Sequence, residues 1–288
     1  MPRDRSAPGL TRQTVVSDAH PQSVLRADGR LVELKAHRAA WRGAHPENSL
    51  AGLRECYEAR VARVEIDFLF HDGDFVVTHD RPRRGAKPPS LREALAIVRD
   101  APPGPTLLML DAKADAPWPD ELVTRLLRLI EPVRERVFVG SPGDWNLRRL
   151  HVADPGLALA FDPHYYLTWS TRRERLPGRV GAYGYRDAHP LALMRTVPTV
   201  AYLRERFDML CALAPFAREM HLRLGFFERM LRDGFNAVEF LHDAGVLVDV
   251  WTIDAGTRAW RERVARVVAA GADTLTTNTP REIAAAFA

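Results

Sequence analysis

The sequence of 288 residues is poor in cysteine and in long apolar runs, and each shortage excludes a class of protein. Cys56 and Cys211 are its only cysteines, too few for a disulfide framework or a thiolate metal site. No apolar run approaches the roughly 18 residues that a membrane span needs. The first residues, up to Val16, contain no stretch of signal-peptide length. We therefore expect a cytoplasmic protein without stable membrane insertion.

Lysine is also scarce, and arginine carries almost all the positive charge. Only Lys35, Lys87 and Lys113 are lysines among 41 basic residues, and the formal net charge is +4. Most arginines alternate with acidic residues and form no basic stripe, so we expect no nucleic-acid partner. Tyrosines and arginines do interleave from Tyr165 to Arg186, where an RNA-contacting surface is a minor alternative.

Short β-type runs alternate with longer helical patterns, as is typical of βα units around a parallel sheet. Eight such units predict an α/β fold of the (β/α)₈ TIM barrel type, with an open doubly wound sheet as the alternative. The predicted strands are Leu31–Ala36, Val64–Phe68, Thr106–Leu110, Arg136–Gly140, Leu157–Phe161, Glu219–Leu224, Val246–Trp251 and Asp273–Thr277. Helical patterns lie between them, as in Leu50 to Val61, Leu122 to Ile130 and Trp260 to Ala270.

Two segments interrupt this alternation. Phe75–Thr78 follows a turn sequence containing Asp72 and Gly73, which predicts a small hairpin insertion after strand 2. Residues 162–215 far exceed the usual connection of about 2–6 residues, so we expect a cap insertion over the pocket after strand 5. We predict one barrel domain over residues 31–288, preceded by an N-terminal extension over residues 1–30.

Acidic residues mark two of the predicted strands. Glu65 and Asp67 are two positions apart, so both side chains project from one strand face. Asp111 ends the next strand, with Lys113 two residues later. Glu65, Asp67 and Asp111 form an all-oxygen set suited to one divalent cation, Mg²⁺ or Ca²⁺. An exposed polar strand face, or a helix-capping role for Asp111, is the alternative.

Two of the ten histidines fall at predicted strand ends beside these carboxylates. His37 follows the first strand directly, and His79 ends the return strand of the hairpin. Histidines that converge on carboxylates are candidates for chemistry, whereas a single one at such a place is more often structural. The others have no comparable context, apart from His164 as a weaker pocket candidate.

Short motifs follow one another in order over roughly residues 31–161 and 219–284. They are His37-Arg38, Pro46-Glu47-Asn48-Ser49, Glu65-Ile66-Asp67, Asp72-Gly73, His79-Asp80, Asp111-Ala112-Lys113, Val250-Trp251-Thr252-Ile253-Asp254 and Thr277-Asn278-Thr279-Pro280. Each motif is weak by itself, but several in order at plausible spacing form a specific signal, and the series resembles that of the glycerophosphodiester phosphodiesterase family. The resemblance implies a barrel fold and hydrolysis of a small-molecule phosphodiester.

The resemblance also implies roles for individual residues. It assigns the metal to Glu65, Asp67 and Asp111, and the acid/base pair to His37 and His79. Binding of the substrate phosphate then falls to Arg38 as a bidentate donor and Lys113 as a point charge. Glu47 is expected to orient Arg38 or to join the metal site, and Trp251 to form an apolar pocket wall.

Three residues depart from the family pattern. Ala39 stands where the family has glycine, Asp111 where it has glutamate, and Asp254 where it has asparagine. A shorter carboxylate at Asp111 changes the metal shell, and the charge of Asp254 disfavours an anionic substrate unless it is paired. The alternative function is therefore a barrel of altered specificity, or one that binds a phosphorylated ligand without turnover.

Overall fold

A computed structural model describes residues 22–114, 116–171 and 177–288. The strands are β1 Ser23–Leu25, β2 Leu31–Ala36, β3 Arg63–His71, β4 Asp74–Val77, β5 Leu107–Ala112, β6 Val137–Ser141, β7 Leu159–Phe161, β8 Leu167–Thr168, β9 Arg186–Asp187, β10 Glu219–Arg223, β11 Leu247–Trp251 and β12 Thr274–Thr277. The helices are α1 Leu50–Glu58, α2 Leu91–Asp100, α3 Asp120–Ile130, α4 Asp144–Ala153, α5 Thr199–Leu213, α6 Leu224–Arg232, α7 Ala237–Asp243, α8 Trp260–Ala270 and α9 Pro280–Ala286.

Eight parallel strands close into a barrel, which confirms the predicted (β/α)₈ fold. Their order is β2, β3, β5, β6, β7, β10, β11 and β12, and β12 pairs with β2 to close the ring. The antiparallel strand β1 adds to the start of β2, and β4 folds back on the end of β3. Each of the eight predicted strands overlaps an observed one.

Alternation along the strands separates an apolar outer layer from a polar interior. In β3, Val64, Ile66 and Phe68 are buried in the large core between the sheet and the helices. Glu65 and Asp67, on the opposite face, are buried as well. Helices cover the outer face with residues at helical spacing, such as Val123, Leu126 and Ile130 of α3. The packing thus turns the carboxylates of β3 toward the barrel axis.

The barrel interior holds a second set of charged residues, which we call the interior cluster: Lys35, Arg63, Glu219, His221 and Asp249. Lys35 Nζ lies 2.6 Å from an Asp249 oxygen, and Arg63 Nη1 donates to Glu219 over 3.1 Å. His221 Nε2 lies 2.8 Å from Glu219. Met109, Phe138 and Ala160 form a small apolar cluster separate from the main core. Both Lys35 and Arg63 also lie over the Phe138 ring.

The segment between β7 and β10 includes helix α5, which lies within the predicted insertion over residues 162–215. Helix α5 packs through Phe207 against Phe226 of α6 and Phe240 of α7. Tyr183 stacks on Tyr202 of α5 at 3.9 Å between ring centroids.

Tyr183 and Tyr185 are buried and therefore unable to stack on RNA bases. The predicted cap contribution of Arg172, Arg173 and Arg175 lies outside the described residues, as does most of the predicted N-terminal extension. No helix within the described ranges is long and apolar enough to cross a membrane.

Candidate active site

Three carboxylates meet at the carboxyl ends of neighbouring strands. Asp67 of β3 stands directly opposite Asp111 of β5 in the parallel register. Candidate ligand oxygens of Glu65, Asp67 and Asp111 lie within 4.8 Å of one another. Glu65 is 3% exposed and Asp67 is fully buried. With Arg38 and Lys113, we call these residues the rim cluster.

Asp67 is surrounded by donors. Lys113 Nζ lies 3.0 Å from Oδ1, and Arg38 Nε lies 3.0 Å from Oδ2. Asn48 Nδ2 donates to Oδ2 over 2.8 Å, while Asn48 Oδ1 accepts from the Asp67 N–H. Burial opposes ionisation, but the Lys113 charge and these hydrogen bonds hold the pKa of Asp67 below its usual value. Asp67 is therefore held ionised and in one orientation.

Glu65 has the opposite environment. Its Oε2 accepts one hydrogen bond, from the Arg38 N–H over 2.6 Å. Its Oε1 is buried and has no hydrogen-bond partner among the described residues. Burial, followed by the charges of Asp67 and Asp111, raises the pKa of Glu65 well above its usual value. The residues of the site therefore do not stabilise Glu65 in its charged form.

Lys113 partly neutralises the cluster. Its Nζ lies 2.5 Å from Asp111 and 3.0 Å from Asp67. Burial disfavours the charged ammonium, but these carboxylates outweigh it and raise the pKa of Lys113. Glu65 Oε1 still lacks a hydrogen-bond partner in the described ranges, and the three carboxylates could hold a metal ion.

The backbone beside the cluster adopts left-handed conformations. Arg38 has φ 52° and Ala39 has φ 57°, within a 3₁₀ turn over His37–Ala39. The Asn48 N–H donates to the Arg38 carbonyl over 2.9 Å and helps to hold the turn. Because this region favours glycine, Ala39 stores backbone strain at the site. The same turn directs the Arg38 N–H at Glu65.

Glu47 contacts Arg38, one of the two arrangements that the sequence suggested. Its carboxylate accepts from Arg38 Nη1 over 2.8 Å, and its side chain is half exposed. Arg38 thus bridges Glu47 and Asp67, which keeps its guanidinium at the rim.

The two candidate histidines are not equivalent. His37 Nδ1 lies 2.8 Å from Asn278 Oδ1, and its Nε2 lies 4.0 Å from Glu65 Oε2. Burial lowers the pKa of His37. The His79 ring instead contacts Asp80 at 2.9 Å and is 41% exposed. The N–H of Thr78, the residue before His79, donates to the Asp67 carbonyl.

An aromatic wall lies at the ends of the strands on the other side of the barrel. Trp251, at the end of β11, has the Arg223 guanidinium 5.5 Å from its ring and His164 at 6.1 Å. His164 stays close to the buried Asp162, 2.8 Å away. Burial opposes the protonated ring, but Asp162 outweighs it and raises the pKa of His164. Trp251 thus lies beside His164 and the Arg223 guanidinium at this end of the barrel.

Sequence reasoning assigned no role to Asn48 or Asn278. Asn48 lies inside the motif Pro46-Glu47-Asn48-Ser49, so the sequence already indicated it as a candidate site residue. Asn278 contacts His37 across 241 positions of sequence. The departure at Asp254 is explained by this neighbour, because Asp254 accepts hydrogen bonds from Asn278 and is paired.

Comparisons with solved structures define the class of fold. A glycerophosphodiester phosphodiesterase from Parabacteroides distasonis aligns with a TM-score of 0.61 and 15% identity, over 93% of this chain and 98% of that one. A phosphodiesterase from Oleispira antarctica, in complex with the product sn-glycerol-3-phosphate, aligns at 0.55 and 18%, over 88% and 95%. A glycerophosphodiester phosphodiesterase from Agrobacterium tumefaciens aligns at 0.51 and 17%, over 88% and 98%.

At such identities the likeness shows the fold alone, a (β/α)₈ barrel. No protein-family profile matches the sequence. No curated protein matches it either.

Proposed function

We propose that this chain is a metal-dependent phosphoric diester hydrolase that converts a glycerophosphodiester, or a related small phosphodiester, to a phosphomonoester and an alcohol. The observation that carries the proposal is the unpartnered buried Glu65 oxygen within a group of three carboxylates. Two cationic side chains at the same rim suit an anionic substrate. The solved structures with this fold include proteins that act on glycerophosphodiesters.

Glu65, Asp67 and Asp111 would hold the cation. When bound, a divalent ion offsets the charge of the phosphodiester and stabilises charge that develops in the transition state. Arg38 is oriented by Glu47 and Asp67 to donate to phosphate oxygens, and Lys113 supplies a second positive charge. Both cations already contact the carboxylates, so substrate binding exchanges some of these contacts.

His37 and His79 are the proposed acid/base pair. His37 is buried beside Glu65 and its lowered pKa favours the neutral ring, which is suited to accept a proton. His79 is more exposed and follows Thr78, which is bonded to the site. A histidine there can give a proton to the leaving alkoxide. Trp251 would pack against one alcohol substituent.

Turnover of glycerophosphocholine with Mg²⁺ or Ca²⁺ tests this function. We expect choline or glycerol phosphate release by the wild type, loss of release with a chelator, and loss in His37→Gln. His151→Gln is the matched control, because His151 stacks on Phe216 at the side of the barrel. Equal release by wild type and His37→Gln would contradict the proposal, as would chelator-insensitive release.

Lys113 favours a second candidate, a barrel that binds a phosphorylated ligand without turnover. Its ammonium already bridges Asp67 and Asp111, where it can substitute for part of a cation's charge. Calorimetry with glycerophosphocholine distinguishes the two functions. Binding that is independent of divalent cations, with no release of product, would favour the second.

A further inference from the structure

Two residues behind His37 form a chain of hydrogen bonds that ends on its ring. The Asn278 N–H donates to Asp254 Oδ1 over 2.7 Å, and Asn278 Nδ2 donates to Asp254 Oδ2 over 3.0 Å. Asn278 Oδ1 lies 2.8 Å from His37 Nδ1. Thr277 Oγ1 also donates to Asp254, over 3.2 Å. The three side chains are thus connected in the order Asp254, Asn278, His37.

The chemistry of the donors fixes the direction of each bond in this chain. A carboxylate only accepts, so the amide NH₂ of Asn278, and not its carbonyl, must face Asp254. The Asn278 carbonyl then faces His37, and it too only accepts. Nδ1 of His37 must therefore carry the hydrogen.

We propose that Asp254 is a positioning residue that acts through Asn278 to fix the Nδ1–H tautomer of His37, leaving the Nε2 lone pair directed at the carboxylate site. The inference rests on the proposed phosphodiesterase function for its role in the reaction, and on the hydrogen bonds alone for the tautomer. Nε2 is the ring atom 4.0 Å from Glu65. It is therefore the atom of His37 able to accept a proton in the site.

This assignment gives the departure at Asp254 a purpose. A negative side chain at the rim would disfavour an anionic substrate if it faced the pocket. Asp254 instead accepts hydrogen bonds from Asn278 and Thr277, so its carboxylate is paired within the protein. The neutral amide of Asn278 separates the Asp254 carboxylate from the imidazole.

Nitrogen NMR of histidine-labelled protein tests the tautomer, because protonated and unprotonated ring nitrogens differ widely in chemical shift. The spectrum is recorded above neutral pH, and His37→Gln assigns the His37 signals. We expect wild-type His37 to show a protonated Nδ1. Asp254→Asn presents an NH₂ to Asn278, whose amide then turns its own NH₂ toward His37. We expect the hydrogen of His37 to move to Nε2 in this variant.

Exchanging Asp254 and Asn278 distinguishes a positioning role of this pair from a purely structural one. Asn278→Asp alone sets two carboxylates against each other, so we expect it to be destabilised and inactive. In Asp254→Asn/Asn278→Asp, an acceptor again faces His37 Nδ1, now the carboxylate at position 278, and the amide introduced at position 254 donates to that carboxylate. We expect this double variant to recover the Nδ1–H spectrum. We expect Asp254→Asn to lose about 10²-fold or more in kcat/KM, and the double variant to regain most of it.

Two results would overturn the inference. One is a protonated Nδ1 in Asp254→Asn, and the other is a double variant that recovers neither the spectrum nor activity while remaining folded by circular dichroism. The spectrum does not depend on turnover. A wild type with no hydrolytic activity would therefore refute the proposed function and leave the tautomer assignment to be decided by the spectrum.

Discussion

The barrel contains two clusters of acidic residues, and they differ in how their charge is balanced. In the interior cluster, Lys35 and Arg63 contact Asp249 and Glu219 directly. Thr276 donates a further hydrogen bond to Asp249. In the rim cluster, Glu65 Oε1 has no partner in the part of the chain that the structure describes. Each cluster has three residues close enough together to hold a metal ion.

The difference shows that proximity of carboxylates does not by itself indicate a metal site. Burial opposes ionisation of Glu219, but Arg63 outweighs it and holds the pKa of Glu219 well below its usual value. Burial and like charges raise the pKa of Glu65 instead. The interior cluster pairs its carboxylates with cationic side chains, whereas the rim cluster leaves Glu65 Oε1 without a hydrogen-bond partner among the described residues. We assign structure to the first and chemistry to the second.

The largest expected effect is a loss of activity in variants of the rim cluster that variants of the interior cluster do not show. Glu65→Gln and Asp67→Asn remove ligands of the proposed cation, so we expect kcat/KM for glycerophosphocholine to fall by about 10³-fold, equivalent to about 4 kcal/mol. Glu219→Gln changes a buried carboxylate outside the site, and its folded fraction should keep wild-type kcat. Comparable losses in rim and interior variants would remove the distinction.

Stability should depend on the interior cluster more than on the rim cluster. Lys35→Met leaves Asp249 and Glu219 buried without one of their cations, so we expect a loss of about 3–5 kcal/mol in the free energy of unfolding. Lys87→Met is the control, since Lys87 is exposed and should change stability by no more than about 0.5 kcal/mol. Urea denaturation measures both. A loss below about 1 kcal/mol for Lys35→Met would mean that the interior cluster is not a structural requirement.

The two clusters also predict opposite pH dependences in metal-free buffer. The pKa of Glu65 is higher in the folded state than in the unfolded state. Between these two pKa values the folded protein binds more protons than the unfolded protein, so stability falls as pH rises through this range. Glu219 has a lowered pKa, so its contribution is present above the unfolded value near about 4.3 and is lost as pH falls.

Thermal unfolding across pH checks these signs. Glu65→Gln should remove the loss at higher pH and raise stability there by about 0.5–2 kcal/mol, as expected for relief of an active-site conflict. Glu219→Gln should remove the loss on the acid side and be less stable at neutral pH. Parallel pH profiles for the two variants would contradict the assigned charge states.

The smallest expected effect concerns the strained turn beside the rim cluster. Ala39→Gly relieves about 1–2 kcal/mol of left-handed strain, but it raises the conformational entropy of the unfolded state, which costs about 0.5–1 kcal/mol, so we expect a net gain of up to about 1.5 kcal/mol. Ala40, at φ −83°, is the matched control. Ala40→Gly should lose about 0.5–1 kcal/mol. Equal effects in urea denaturation would show that Ala39 is unstrained.

The sequence was most informative about site residues that lie close together along the chain. The spacing of Glu65 and Asp67 placed both on one strand face, and Asp111 followed from the end of the next strand. Contacts between residues that are distant in sequence depend on barrel closure and strand register. Asn278 meets His37 only because β12 pairs with β2.

The interior cluster was missed for the same reason. Lys35 and Asp249 come from distant strands, and nothing local marks them as partners. The predicted insertion over residues 162–215 stays a prediction, and it includes helix α5. His79 was assigned by motif, and its exposure depends on the path of the chain after β4.

Calorimetric titration of Mg²⁺ and Ca²⁺ into metal-free protein tests the central claim most directly. We predict one divalent cation bound per wild-type chain, with binding abolished in Glu65→Gln and retained in Glu219→Gln. Retention of binding in Glu65→Gln, or its loss in a folded Glu219→Gln, would place the cation outside the rim cluster and contradict the account.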